Sequence, residues 1–301
     1  MLRAAETIAK TDTGRQRREN EDSVFARTPL FVVADGMGGA GDRASAAAID
    51  ALKSLEALEP GPASAPIAGS PPAGDPGPVV LPPPAAAHGP GPWAAGPGVT
   101  GPGRTGPGVT GPADLLSALA QAVEQAEEAV QDIAAADPAQ RGSGTTLTAM
   151  LWSGSQLALV HVGDTRAYLL RGGELFQITH DHTVVQSLID QGQLTPEEAL
   201  SHPERALLLR ALDGTQAAVP DLSLHDVRPG DRYLLCSDGL TTVVPSSGVH
   251  QVLCGAAEPA AAVRELIGLA NSGGGPDNIA CVVADIVEAA GLAAAPAASR
   301  A

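Results

Sequence analysis

Apolar positions along this 301-residue chain repeat in two ways, and one long stretch follows neither. Residues 30–34 form an unbroken apolar run that stops at Asp35-Gly36, and 233–236 form another that stops at Ser237-Asp238-Gly239. Short runs of this kind bounded by turn residues predict buried strands. Four more strands are predicted over 145–152, 156–162, 166–170 and 174–178, punctuated by Ser153-Gly154-Ser155, Gly163-Asp164 and Gly172-Gly173, the turn chemistry of a meander. Residues 6–11 read as an edge strand, and 23–26, 218–224 and 279–286 as further strands. A helical period takes over across 42–58, where Ala46, Ile49, Leu52 and Leu55 share a face. It returns from Asp114, with Leu115, Leu119, Val123, Ala126, Val130 and Ile133 on one side. Shorter helices are predicted over 184–191 and 196–200, and a longer one over 259–270. Residues 179–215 carry His180, His182, His202, Arg205 and Arg210 with little alternation and read as an irregular excursion over one sheet edge.

Residues 59–112 are a different material. Pro and Gly dominate, and 96–110 read GPGVT-GPGRT-GPGVT, a period of five that is not collagen's three. Such a segment buries too little apolar surface to offset its ordering entropy, so a disordered insertion is expected. The helices on either side are expected to pair as an antiparallel hairpin with the insertion at its tip. The chain then reads as a single domain over 1–290, with the insertion and the 179–215 excursion, and a disordered tail at 291–301.

Composition narrows the class. A net charge of −16 argues against binding nucleic-acid backbones. Of three cysteines, Cys236 and Cys281 sit inside apolar runs and none forms a CxxC pair, so neither a disulfide framework nor a zinc site is expected. No apolar signal core opens the chain and no run is long enough to span a bilayer, which predicts a cytoplasmic protein without a membrane partner. Monomer is the default expectation.

The acidic residues carry the chemistry. Asp35 and Asp238 end apolar strands, Asp277 opens one, and Asp164 follows another, each beside Gly or Asn. One such Asp is ordinarily a turn former, but four suggest carboxylates brought together. Clustered carboxylates repel unless cations sit among them, and oxygen-only ligands select Mg²⁺ or Mn²⁺ over zinc. Two ions sharing a carboxylate can hold a water between them and lower its pKa, while nearby arginines can clamp a phosphate. That combination points to phosphate-ester hydrolysis.

In order, the chain reads Arg17-Arg18-Glu19-Asn20-Glu21-Asp22, Asp35-Gly36-Met37-Gly38-Gly39, Gly144-Thr145-Thr146, Val162-Gly163-Asp164-Thr165-Arg166, Cys236-Ser237-Asp238-Gly239-Leu240 and Gly275-Pro276-Asp277-Asn278. These six motifs resemble the metal-dependent protein serine/threonine phosphatases of the PP2C (PPM) family in its compact bacterial form. The resemblance covers nearly everything except 59–112 and the tail. It implies an α+β fold, a four-layer α-β-β-α sandwich with two central antiparallel sheets. It implies two core Mn²⁺ or Mg²⁺ ions bridged by Asp35, with Glu21 and the Gly36 carbonyl on one and Asp238 and Asp277 on the other. Asp164 would join Asp238 on a third, more labile ion. Arg17 would bind the substrate phosphate, Asp22 and Asn278 would orient metal-bound water and ligands, and 179–215 would form a flap that contributes to substrate choice. Direct attack of a metal-bridging water on phosphoserine or phosphothreonine proteins follows, opposing a bacterial protein kinase.

Two departures stand out. The histidine that family members often carry near the metals is absent where this chain has Met37 and Ala40. If it protonates the leaving alkoxide, its loss would slow turnover of serine and threonine phosphates, and a metal-bound water is the substitute expected here. His161 and His182 read as structural groups. The other departure is the insertion, expected to leave the metal site intact. Two alternatives remain: a pseudophosphatase acting as a binding module, and a hydrolase of small phosphomonoesters.

Overall fold

The structure, a computed structural model, describes residues 2–57, 112–137, 140, 142–215 and 217–288. The disordered insertion expected over 59–112, apart from Pro112, and the tail expected over 291–301 lie outside the described residues. In chain order the strands are β1 (Leu2–Asp12), β2 (Asp22–Arg27), β3 (Leu30–Met37), β4 (Gly144–Thr145), β5 (Leu147–Ser153), β6 (Gln156–Val162), β7 (Arg166–Arg171), β8 (Glu174–Gln177), β9 (Asp221–Asp226), β10 (Arg232–Cys236) and β11 (Ile279–Glu288). The helices are α1 (Gly41–Leu52), α2 (Pro112–Ala136), α3 (Val184–Asp190), α4 (Pro196–Ala199), α5 (Asp238–Thr241), α6 (Ser246–Gly255) and α7 (Pro259–Ser272). One antiparallel sheet runs β1-β11-β10-β7-β8, and the other β2-β3-β5-β6-β9 with β4 added to β3.

The sides of the strands separate into three cores, which make four layers. Leu30, Val32 and Ala34 of β3 pack with Leu119 and Val123 of α2 and Ala48 and Leu52 of α1. Phe31 and Val33, on the opposite side of the same strand, meet Tyr233, Leu235, Val282 and Ala284 between the sheets. Leu234, Cys236, Cys281 and Val283 turn outward against Val249, Leu253, Val263 and Leu266 of α6 and α7. Each sheet is therefore covered on both faces, which is why β3, β10 and β11 read as continuous apolar runs instead of alternating ones. Among the described residues no helix is long and apolar enough to cross a membrane.

Three departures from the sequence expectation have a clear physical cause. The strand predicted over 145–152 splits into β4 and β5 because Thr146 between them spends its backbone N–H on the Asp35 carbonyl (2.9 Å) and its hydroxyl on the Asp35 N–H (3.1 Å). The strand predicted over 218–224 begins later, at Asp221, where its pairing with β6 starts opposite His161. The preceding Pro220 has no N–H to extend the ladder. Helix α6 has no counterpart in the sequence reading. It contains two glycines and two valines, so propensity argues against it, and the burial of Val249, Val252 and Leu253 at i, i+3 and i+4 overrides that.

Leu253→Ala is expected to lower the unfolding free energy by about 2–5 kcal/mol, since a buried methyl cluster leaves a cavity that closes only in part. Gln251→Ala, on the exposed side of the same helix, should change it by less than about 0.5 kcal/mol. Urea-denaturation midpoints check both.

Candidate active site

The antiparallel register sets Asp22 of β2 directly opposite Asp35 at the end of β3. Asp35 is held by its backbone: the Thr145 hydroxyl and the Thr146 N–H both donate to its carbonyl at 2.9 Å. The chain then turns through Gly36, where a Cβ would run into the Gly41 carbonyl at the start of α1. From the other sheet, β10 delivers Ser237 and Asp238. The adjacent Gly239 lies so close to the Asn278 carbonyl that no side chain fits. Ser237 Oγ donates to Asp22 Oδ2 (2.7 Å) and accepts from the Ala280 N–H (2.8 Å), tying the two sheets together under the cluster. Asp164 enters from the turn after β6, behind Gly163 at φ +108°, a conformation that favours glycine and places it against the Thr146 side chain.

The loop carrying Arg17 is fastened by Asn278. Its side-chain amide donates to the carbonyls of Thr13 (3.0 Å) and Glu19 (2.9 Å), and its oxygen accepts from the Glu21 N–H (2.9 Å). Arg15 and Gln16 also donate their backbone N–H groups to the Gly275 carbonyl, at 2.8 and 3.2 Å. Arg17 itself is half-exposed, with Nη2 on Asp277 Oδ2 at 2.7 Å. The Glu21 carbonyl accepts from Gly36 N (3.2 Å) and Ser45 Oγ (2.6 Å), so the loop, β3 and α1 share one junction.

All the sequence-predicted acidic groups thus come together. Burial, reinforced by Asp22, Asp238, Asp164 and Asp277, pushes the Asp35 carboxyl well above the usual range. Burial also raises Asp164 to about 8, with Asp238 and Asp181 adding repulsion. Burial and neighbouring carboxylates raise Asp22 to about 7, against the Ser237 hydrogen bond, and Asp238 to about 6. Glu21 is raised by burial, with Arg17 opposing. Among the described residues no three His, Cys, Asp or Glu side chains already stand as a ligand group for one ion. The donor chemistry nevertheless fits hard divalent cations: oxygen atoms only, several like charges taken out of water, and one buried carboxylate oxygen, Asp22 Oδ1, with no hydrogen-bond donor.

Asn278 and Asp22, expected to orient metal-bound water and ligands, have these protein partners. Asn278 commits its side chain to the loop backbone. Asp22 is a buried strut against Ser237, one step behind Asp35. The two histidines are engaged elsewhere, as read from the sequence. His161 is held between Thr148 Oγ1 (2.9 Å) and the His180 carbonyl (3.0 Å), and His182 between the Gly163 N–H (3.1 Å) and Asp221 Oδ2 (3.1 Å). At the positions without histidine, Met37 is partly buried and Ala40 fully so, its N–H on Ser143 Oγ at 3.0 Å. The sequence reading gave no role to Ser237 or Thr146. A serine before a helix reads as an N-cap, but Ser237 makes no cap bond, and its real partner is 215 residues away.

Comparison with known proteins gives a consistent result. The family model described as Protein phosphatase 2C matches residues 108–188. The serine/threonine protein phosphatase PstP of Mycobacterium tuberculosis is 41% identical over 282 residues, covering 93% of this chain and 45% of that protein, so the chain spans about half its length. The serine/threonine phosphatase stp of Listeria innocua is 30% identical over 287 residues, covering 92% of this chain and 94% of that one. A crystal structure of the catalytic domain of PstP in complex with two manganese ions superposes with a TM-score of 0.72 at 39% identity, covering 95% of this chain and 99% of that one.

Removing the loop fastening in Asn278→Ala is expected to cost about 1–3 kcal/mol and to speed tryptic cleavage at Arg15, Arg17 and Arg18, read by limited proteolysis. His161 gives a pH signature. Burial pushes it down to about 4 from 6.5, so the folded state refuses a proton that the unfolded chain accepts. Its contribution is complete above pH 6.5 and is lost as pH falls toward 4. The stability difference between wild type and His161→Asn, from urea titrations in chelator, should shrink over that window.

Proposed function

This chain belongs to the protein phosphatase 2C family, and on that premise we propose that it hydrolyses phosphoserine and phosphothreonine esters of proteins. The metals would be Mn²⁺ or Mg²⁺, held by Glu21, Asp35, the Gly36 carbonyl, Asp238 and Asp277, with Asp164 and Asp238 offering a third position. The observation that carries this reading is the cluster of Asp35, Asp164 and Asp238, each raised by burial, beside a half-exposed arginine paired with Asp277. When bound, hard divalent ions neutralise that charge and supply a water acidic enough to attack phosphorus near neutral pH.

The chain's own residues do the rest. Arg17 can exchange its single contact with Asp277 for the stronger, two-pronged recognition of a phosphate. Its loop holds that guanidinium at a fixed place because Asn278 and Gly275 pin both sides of it. Asp22 and Ser237 keep Asp35 and Asp238 from moving apart. Neither His161 nor His182 replaces the imidazole missing at Met37 and Ala40, since each has both ring nitrogens engaged. The excursion over 179–215, with α3 and α4, would help choose the phosphoprotein, and a bacterial serine/threonine kinase would supply it.

The test is hydrolysis of p-nitrophenyl phosphate and of a phosphothreonine peptide with Mn²⁺, with excess chelator, and with Asp238→Asn. Turnover of both that needs metal and vanishes in the variant is the expected result. Arg17→Ala should lower kcat/KM by about 10–100-fold, the worth of one charged hydrogen bond of about 1.5–3 kcal/mol. Turnover of the nitrophenyl ester alone would show that a proton donor for the alkoxide is missing, or that small phosphomonoesters are the substrates. No turnover by folded, metal-bound protein would overturn the reading in favour of a binding module.

A further inference from the structure

Away from the acidic cluster, three donors of a different chemical class converge. His250 and Cys254 are four residues apart on α6 and so lie on one side of it. The β7–β8 turn, Gly172-Gly173, points its last carbonyl at the same spot. Both glycines have positive φ (60° and 86°), the two-residue hairpin geometry that fixes where that carbonyl faces. His250 Nε2 lies 2.7 Å from the Gly173 oxygen and 3.3 Å from Cys254 Sγ, and Sγ lies 3.9 Å from that oxygen.

We propose that Cys254, His250 and the Gly173 carbonyl form a second cation site, for a borderline or soft ion of the Zn²⁺ class. A tetrahedral zinc with ordinary bond lengths spaces sulfur and nitrogen, and sulfur and oxygen, by about 3.6 Å, and nitrogen and oxygen by about 3.4 Å. The two sulfur edges already agree to within about 0.3 Å of those values. The nitrogen–oxygen edge is short because a proton now occupies it, donated by Nε2–H to the carbonyl. Binding replaces that proton: the thiol loses its hydrogen to solvent, the imidazole proton moves to Nδ1, and Nε2 presents its lone pair. The thiol is exposed, which leaves a fourth position open to water.

The donors are pre-set. Arg232, ion-paired with Asp285, donates from Nη1 to the carbonyls of Leu253 and Ala256 at 2.7 Å each and so clamps the end of α6 that carries Cys254. The site is also remote from the acidic one. Arg166 begins β7 beside Asp164, and the strand runs six residues, roughly 20 Å, before it reaches the turn. Its thiolate excludes the hard ions suited to the carboxylates, and the carboxylates offer no sulfur, so the two sites select differently.

Co²⁺ is the probe, because a thiolate ligand gives it a near-ultraviolet charge-transfer band that oxygen ligands do not. Cys236 and Cys281 are fully buried, so the band reports Cys254 alone. The full chain titrated with Co²⁺ should develop the band, Zn²⁺ should abolish it, and Zn²⁺ should slow alkylation of Cys254 by iodoacetamide. Cys254→Ser and His250→Ala, both at the surface, should keep the native circular dichroism. His250→Ala should lose Zn²⁺ protection of the thiol by about tenfold or more. No band in the wild type, or a band and protection unchanged in His250→Ala, would overturn the site.

Discussion

Like charges held out of water at one end of two sheets are the constraint on which the rest of this structure depends. Two unit charges about 5 Å apart repel by about 3 kcal/mol even at an effective dielectric of 20, and Asp22, Asp238, Asp164 and Asp277 all act against the charge on Asp35. A loose framework would let them separate. Here each is delivered by an element that cannot give way. β3 is buried on both faces, β10 lies between β11 and β7, and the turn after β6 is braced on Thr146. Three apolar cores supply the rigidity, and the carboxylates draw on it.

The connections between the strand ends are mostly backbone. The side chains of Thr145, Ser45 and Asn278 donate to the carbonyls of Asp35, Glu21, Thr13 and Glu19, while Thr146, Asn278 and Ser237 accept from the N–H groups of Asp35, Glu21 and Ala280. Short hydroxyl and amide side chains suit this work because they reach a neighbouring main chain without bringing further charge. Close backbone approach at Gly36 and Gly239 completes the junction, and there the absence of a side chain is the functional property.

Much of this was legible in the sequence, for reasons that particular residues make plain. Asp35 and Asp238 announced themselves because a doubly covered strand reads as a continuous apolar run, and Asp-Gly closes it. Arg17 and Glu21 became legible only with the order of the six motifs, since a charged loop alone reads as a solvated turn. What stayed hidden was long-range. Nothing near Ser237 reveals Asp22, nothing near Asn278 reveals the carbonyls of Thr13 and Glu19, and α6 exists only because an outer core accepts Val249, Val252 and Leu253. The predicted hairpin of helices, by contrast, rested on local periodicity, and α1 and α2 do share one core with β3.

The pairing of β1 with β11, and of the Arg17 loop with the turn around Gly275, joins residues about as far apart as the chain allows. During synthesis at about 5–20 residues per second, the guanidinium leaves the ribosome on the order of tens of seconds before the aspartate it will meet. Until then β1 is an edge without a neighbour, and the loop has no amide to fasten it. The acidic site therefore cannot form before Asp277 and β11 have emerged. A nascent chain shorter than that holds most of the parts without the arrangement.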